Sequence, residues 1–234
     1  MLETVHVALP GREYDILIGP GILAEAGKHV TPLLRRPRVV VISDDKVAAL
    51  HLDSLRLGLA TSGITMETLS LPAGEATKSW SQLTRCVDWL LDQKVERNDV
   101  VIAFGGGVIG DLVGFAAAIL RRGVRFIQVP TSLLAQVDSS VGGKTGINAS
   151  QGKNLVGAFH QPSLVLADTA VLGTLTTRDF LAGYGEVVKY GLLGDAAFFE
   201  WLEKQGPALA SGDMAARIEA VRRSVQMKAD IVVR

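Results

Sequence analysis

The chain has 234 residues, 48% of them apolar and 21% charged, with 25 glycines and one cysteine, enough for one large domain or one domain and part of another. That composition excludes disorder, a collagen-like repeat and a disulfide-stapled mini-protein. Lys+Arg (24) balances Asp+Glu (24), so no net field would hold a nucleic-acid backbone or an anionic membrane, and neither is expected as a partner.

Residues 1–19 read as edge β structure: an alternating run from Thr4 to Leu9, a Pro10-Gly11 turn, then Tyr14 to Gly19. The opening residues do not read as a basic-then-apolar signal. A short helix follows over Ile22 to Val30. Arg38 to Ser43 is a β-branched run of the kind buried on both faces of a sheet, with Asp44 just past its end. Lys46 to Ser62 reads as a helix and Thr65 to Leu71 as a strand ending at Pro72-Ala73-Gly74-Glu75. Ser79 to Gln93 carries Leu83, Val87, Leu90 and Leu91 at helical spacing.

The next stretch, Val100 to Leu120, is 21 residues long with one ionisable group, Asp111. As a membrane span it would carry Gly105-Gly106-Gly107 and Gly110 near its centre and place Asp111 in hydrocarbon, at roughly 2.5–3.5 kcal/mol. A buried strand (Asp99 to Phe104), a glycine turn and an all-round apolar helix (Asp111 to Leu120) fit better. Arg125 to Val129 and Ser163 to Ala167 read as further strands. From Thr177 the character changes to helices over Arg178 to Leu193, Ala196 to Lys204 and Asp213 to Arg234. The expected organisation is an α/β domain over residues 1–176 with a parallel sheet and right-handed crossovers, then the start of an all-α domain over 177–234. Ile218, Val221, Val225 and Ile231 or Val232 keep helical spacing to the last residue. The sequence therefore reads as stopping inside a helix, as if a longer protein continued; an uncapped natural terminus is the alternative.

Ligands of such sheets bind beyond the strands' carboxyl ends, which here are Ser43-Asp44, Gly74-Glu75, Gly105 to Gly107 and Thr131-Ser132. Gly105-Gly106-Gly107-Val108-Ile109-Gly110-Asp111 satisfies G-x-G-x-x-G between a strand and a helix. There a backbone can approach a pyrophosphate and the helix N-terminus offers free N–H groups. The acid expected after the next strand is absent, so Asp44 or Glu75 would have to meet a ribose; a tight turn in an α/β core is the other reading. Asp138 to Thr145 resembles a phosphate-binding P-loop only superficially, because Asp138 stands where the first glycine belongs. Asp138, Lys144, Asn148, Lys153 and Asn154 crowd a glycine-rich segment where two lysines could neutralise phosphate or carboxylate, or simply line a solvated loop. Glu186 and Lys189 share a helix face at i, i+3, as a structural ion pair or as a metal carboxylate beside a substrate-facing ammonium. None of the four histidines is spaced with another for a metal, so a complete zinc site is not expected in this chain. No G-x-S-x-G elbow occurs. Cys86, alone, cannot form an internal disulfide and points to a reducing, cytoplasmic compartment.

Taken in order, Pro72 to Lys78, Gly105 to Ala117, Arg122-Gly123-Val124, Gln128 to Asn148, Gly152 to Phe159 and Gly185 to Gly191 resemble 3-dehydroquinate synthase, of the sugar-phosphate cyclases. The resemblance spans nearly the whole chain, and its long middle block is far more specific than a glycine motif. It implies a Rossmann-like N-terminal domain and a helical C-terminal one. The implied activity is a phosphate-eliminating carbon–oxygen lyase that turns a seven-carbon keto-acid phosphate into 3-dehydroquinate in aromatic amino-acid biosynthesis. It implies catalytic NAD, a divalent metal (zinc or cobalt), a phosphorylated sugar acid as substrate, and a homodimer.

By the same resemblance Asp44, Glu75 and Lys78 match adenosine and ribose contacts. Gly106, Gly107, Val108, Ile109, Gly110 and Asp111 match the pyrophosphate loop. Thr131, Ser132, Asp138 and Thr174, with Val171 and Leu172 flanking, match nicotinamide-side positions. Lys144, Lys153, Asn154 and Lys189 match substrate positions, the first two lying near the cofactor as well. Arg122 matches a residue that reaches a substrate phosphate, often across a dimer interface, and Lys228 matches a further substrate lysine. Glu186 matches the carboxylate metal ligand. The family's two histidine ligands lie further along than Arg234, so turnover by these residues alone is not expected. A related cyclase, a metal-dependent polyol dehydrogenase or a bare NAD-binding module are the alternatives.

Overall fold

The computed structural model describes residues 2–233; Met1, at the head of the expected first strand, and Arg234, the expected end of the last helix, lie outside the described residues. Seven strands form one sheet: β1 (Glu3–Val7), β2 (Tyr14–Gly19), β3 (Arg38–Asp44), β4 (Thr65–Leu71), β5 (Val100–Gly105), β6 (Arg125–Pro130) and, numbered to follow a later hairpin, β9 (Leu164–Asp168). Their order is β1-β2-β9-β6-β5-β3-β4. Only β1 runs antiparallel to its neighbour; every other pair is parallel. The molecule is thus a mixed α/β fold on a mostly parallel sheet.

The β-branched runs alternate between two buried faces, as a covered parallel strand must. In β5, Val101 and Ala103 join the cluster built with α3 (Trp80–Asp92) and α4 (Gly107–Ile119), which supply Leu90, Leu112 and Ala116. Val100, Ile102 and Phe104 face the opposite cluster, with Leu55 and Leu59 of α2 (Asp45–Ala60) and Val30 of α1 (Ala26–Val30). Residues 100–120 therefore divide into strand, turn and buried helix, and no helix among the described residues is long and apolar enough to cross a membrane.

Three further helices, α5 (Thr177–Leu192), α6 (Ala196–Ser211) and α7 (Met214–Val233), share an apolar cluster with β1, β2 and β9. Helix α6 outruns the expected stop at Lys204 by seven residues, through Pro207. Proline removes one helical N–H and leaves the carbonyl four residues back unpaired; that residue, Glu203, is exposed, so water can serve it.

One element was not expected. Lys144–Ala149 (β7) and Gly152–Phe159 (β8) pair antiparallel as a separate hairpin. It lies across α4, with Ile147 in the α3–α4 cluster. The close approach needs Gly114: a Cβ there would stand 2.5 Å from Thr145 Cγ2 and 3.1 Å from the Phe126 ring.

Candidate functional site

After β3 the chain adds β4 on one side, then returns across it to add β5 on the other. Such a reversal opens a crevice beyond the carboxyl ends of β3 and β5. A cavity of about 590 Å³ lies there, walled by Asp44, Val47, His51, Gly106, Thr131, Ser132 and Thr174, with Thr176, Asp179 and Ala182 closing it from the α5 side.

Asp44 caps α2, its Oδ1 accepting from the N–H of Lys46 (3.1 Å) and of Val47 (3.0 Å). Its second oxygen makes no hydrogen bond among the described residues. Gly106 caps α4 without a side-chain hydrogen bond, which leaves the first-turn N–H groups without a side-chain partner. A Cβ on Gly107 would come within 3.0 Å of Ser139 Oγ, and that buried hydroxyl has no partner. A bare glycine turn, a free helix N-terminus and a carboxylate with one oxygen to spare fit a dinucleotide: pyrophosphate on the glycines, ribose at Asp44.

His51 was not singled out by the sequence. Val47, Leu50 and His51 stand at i, i+3, i+4 on α2 and all line the crevice. The Thr174 hydroxyl donates to the Val171 carbonyl (2.8 Å) and lies 2.8 Å from His51 Nε2. A hydroxyl accepts as well as donates, so Thr174 ties the His51 ring to the turn after β9.

On the other side of the glycine turn a second cavity, about 490 Å³, is lined by Asp111, Asp138, Ser139, Lys144, Asn154 and Lys228 among others. Asp138, on a single π-turn over Ala135–Ser139, accepts at Oδ1 from the Tyr190 hydroxyl (2.9 Å) and from Lys228 Nζ (2.6 Å). Burial pushes its carboxyl up, but Lys228, Tyr190 and Lys189 outweigh it and hold it below the ordinary value. Burial, and then the Asp138 charge, push the Tyr190 phenol far up, so it stays a donor. Lys78, 5% exposed, pairs with Asp111 Oδ2 at 2.6 Å and also reaches Asn154 Oδ1. Burial raises the Asp111 carboxyl, and the Lys78 ammonium lowers it only in part. Glu75 Oε1 accepts from Asn148 Nδ2 (2.8 Å), tying the loop after β4 to the hairpin.

The remaining expected residues are placed unevenly. Ile109 and Gly110 are buried, as are Val171 and Leu172, whose side chains belong to the core; Val108 is half-buried. Of the stretch from Val171 to Thr174, Thr174 is the one that walls the crevice. Lys153 is exposed and lines neither cavity. Arg122 lies where α4 has run back to the amino ends of the strands, just ahead of β6, exposed and with no polar partner among the described residues. Glu186 and Lys189 pair on α5. Among the described residues no three His, Cys, Asp or Glu side chains come together as a metal site. Three protein ligands are the usual minimum for catalytic zinc, so the described residues do not by themselves complete such a site.

Residues 68–182 match the family model described as 3-dehydroquinate synthase N-terminal, and residues 183–234 the one described as 3-dehydroquinate synthase C-terminal. A curated 3-dehydroquinate synthase from Ruegeria pomeroyi is 78% identical over all 234 residues. This chain spans 63% of that relative's length. Among solved structures, a 2-epi-5-epi-valiolone synthase from Streptomyces hygroscopicus with NAD+ and Zn2+ bound superposes with a TM-score of 0.85 at 32% identity, over 92% of this chain and 59% of that one. A 2-deoxy-scyllo-inosose synthase complexed with carbaglucose-6-phosphate, NAD+ and Co2+ gives 0.83 at 23% identity, over 99% of this chain and 62% of that one, a likeness of fold.

Proposed function

The chain belongs to the 3-dehydroquinate synthase family, and from that premise we propose that the whole protein converts 3-deoxy-D-arabino-heptulosonate 7-phosphate to 3-dehydroquinate and phosphate. The observation that carries the reading is the pair of cavities on either side of the Gly105–Gly107 turn. One takes a dinucleotide; the other sets Lys144 and Lys228 beside Asp111 and Asp138, polar groups of both signs for a phosphorylated hydroxy acid. Asp44, Gly106 and the first turn of α4 would hold NAD, which would supply a reversible hydride acceptor and leave the reaction redox-neutral overall.

The chain's own residues then divide the work. Asp44 offers its unused oxygen to a ribose, and the first turn of α4 holds the pyrophosphate. Thr131, Ser132 and Thr174 wall the same crevice. Lys144 and Lys228 offset the charge that gathers on a departing phosphate, and Asn154 donates to it. Asp138 fixes Lys228 in place before substrate arrives. Lys189 pairs with Glu186 on the α5 face beside Asp138. A divalent ion, zinc or cobalt, would take Glu186 as one ligand and its others from elsewhere in the whole protein. Residues 1–234 alone are then a cofactor-binding unit without turnover. Arg122, at the far end of the sheet, would serve the active site of a partner subunit in a homodimer. The lone buried Cys86 suits the cytoplasm.

The test is a coupled assay on the full-length protein. Inorganic phosphate should be released from the keto-acid phosphate with no build-up of NADH. Stoichiometric NADH would instead mark a polyol dehydrogenase, and turnover confined to a sugar phosphate without a carboxylate would mark a sister cyclase.

A further inference from the structure

The β7–β8 hairpin is not regular. Ile147 pairs with Val156, but two residues later Ala149 pairs with Gly152, so Lys153, Asn154 and Leu155 together oppose the single residue Asn148. Bulges of this kind re-aim a side chain and sit preferentially beside active sites. At its centre Asn154 adopts φ +59°, a left-handed conformation that asparagine tolerates but that costs energy unless its surroundings hold it.

What holds it is Asn148. Its Oδ1 accepts the Asn154 backbone N–H at 3.0 Å, closing the bulge. Its Nδ2 donates to Glu75 Oε1 at 2.8 Å, and its own N–H donates to the Lys78 carbonyl at 2.9 Å. Lys78 returns the link through Nζ to Asn154 Oδ1. One side chain therefore joins the loop after β4 to the bulge that aims Asn154 into the anion cavity. Asn148 lines neither cavity itself.

We propose that Asn148 is a positioning residue that couples the two sites: a dinucleotide in the crevice that Ala73 and Gly74 wall steadies the adjoining Glu75–Lys78 loop, and through Asn148 the β8 bulge and Asn154, for anion binding. The inference rests on the cofactor reading above. Coupling between sites is reciprocal, so each ligand must tighten the other by the same factor, typically about 5- to 150-fold.

The experiment measures NAD+ and inorganic phosphate binding to the full-length protein by calorimetry, each with and without the other. Wild-type protein should bind phosphate at least about five-fold more tightly with NAD+ present. Asn148→Ala should bring that ratio close to one, whereas a merely structural role would lower the melting temperature and leave the ratio alone. Asn148→Asp keeps the acceptor for Asn154 but sets a carboxylate against Glu75. It should fold with the bulge intact and still lose the coupling, and it decides the matter if the alanine variant does not fold. A ratio preserved in either folded variant, or a wild type that binds NAD+ with no gain for phosphate, overturns the proposal while the cofactor reading stands. Wild-type protein that binds no NAD+ overturns that reading itself.

Discussion

Asp138 accepts two hydrogen bonds on one oxygen, from a buried phenol and from an ammonium. Because those donors favour the ionised form, its carboxyl titrates lower in the fold than in an open chain. The sign follows: the stability contributed by ionised Asp138 is complete above its unfolded value, about 3.9, and is lost as pH falls through the lower folded value. Asp138→Asn cannot titrate. Its urea midpoint should therefore fall less steeply than that of the parent as pH drops below about 4; parallel curves would mean that the contacts with Tyr190 and Lys228 do not bias the charge. Such local chemistry was half-visible in the sequence. Asp138, Lys144 and Asn154 stand out as polar residues among glycines. His51 and Tyr190 do not, because a lone histidine or tyrosine in an amphipathic helix reads as ordinary packing until Thr174 and Asp138 are brought beside them from 123 and 52 residues away.

The central strands β3, β5, β6 and β9 announced themselves because both faces are buried and their residues are mostly apolar, and β1 by its alternation. The β7–β8 hairpin did not, for physical reasons. Leu155 and Phe159 are exposed, and the bulge at Lys153–Leu155 breaks the two-residue period that would have marked β8. Its inner face is small, since Gly146 and Gly157 cross at backbone contact. What seats the hairpin is its fit to Gly114 of α4, where a side chain would overlap Thr145 and Phe126. Gly114→Val should cost about 1–3 kcal/mol of stability by overpacking. It should also displace Lys144, the neighbour of Thr145, and weaken phosphate binding several-fold. NAD+ binding, on the far side of the glycine turn, should change much less. Equal losses for the two ligands in calorimetry would show that the hairpin does not act as a unit of its own.

Across the whole molecule, the dinucleotide crevice has two kinds of wall. Asp44, Gly106 and Thr131 come from strand ends of the parallel sheet, while Thr176, Asp179 and Ala182 come from the start of α5. Helix α5 is in turn welded to β1, β2 and β9 through Phe180, Val187 and Tyr190. The composition change at Thr177, so plain in the sequence, is therefore crossed in space by a continuous apolar cluster and by the crevice. A ligand held between those walls should stabilise sheet and helices together. At a hundred times its dissociation constant it adds about 2.7 kcal/mol to the unfolding free energy. For a chain of this size each kcal/mol moves the midpoint by about 2–4 °C, so the 234-residue chain should melt in a single transition that NAD+ raises by about 5–10 °C. Asp44→Ala should lower the midpoint of the unliganded chain by removing the cap of α2 and shrink the NAD+ shift by removing the ribose acceptor. Two calorimetric transitions, with only the upper or the lower one responding to NAD+, would show instead that α5–α7 unfold independently and that the crevice belongs to the sheet alone.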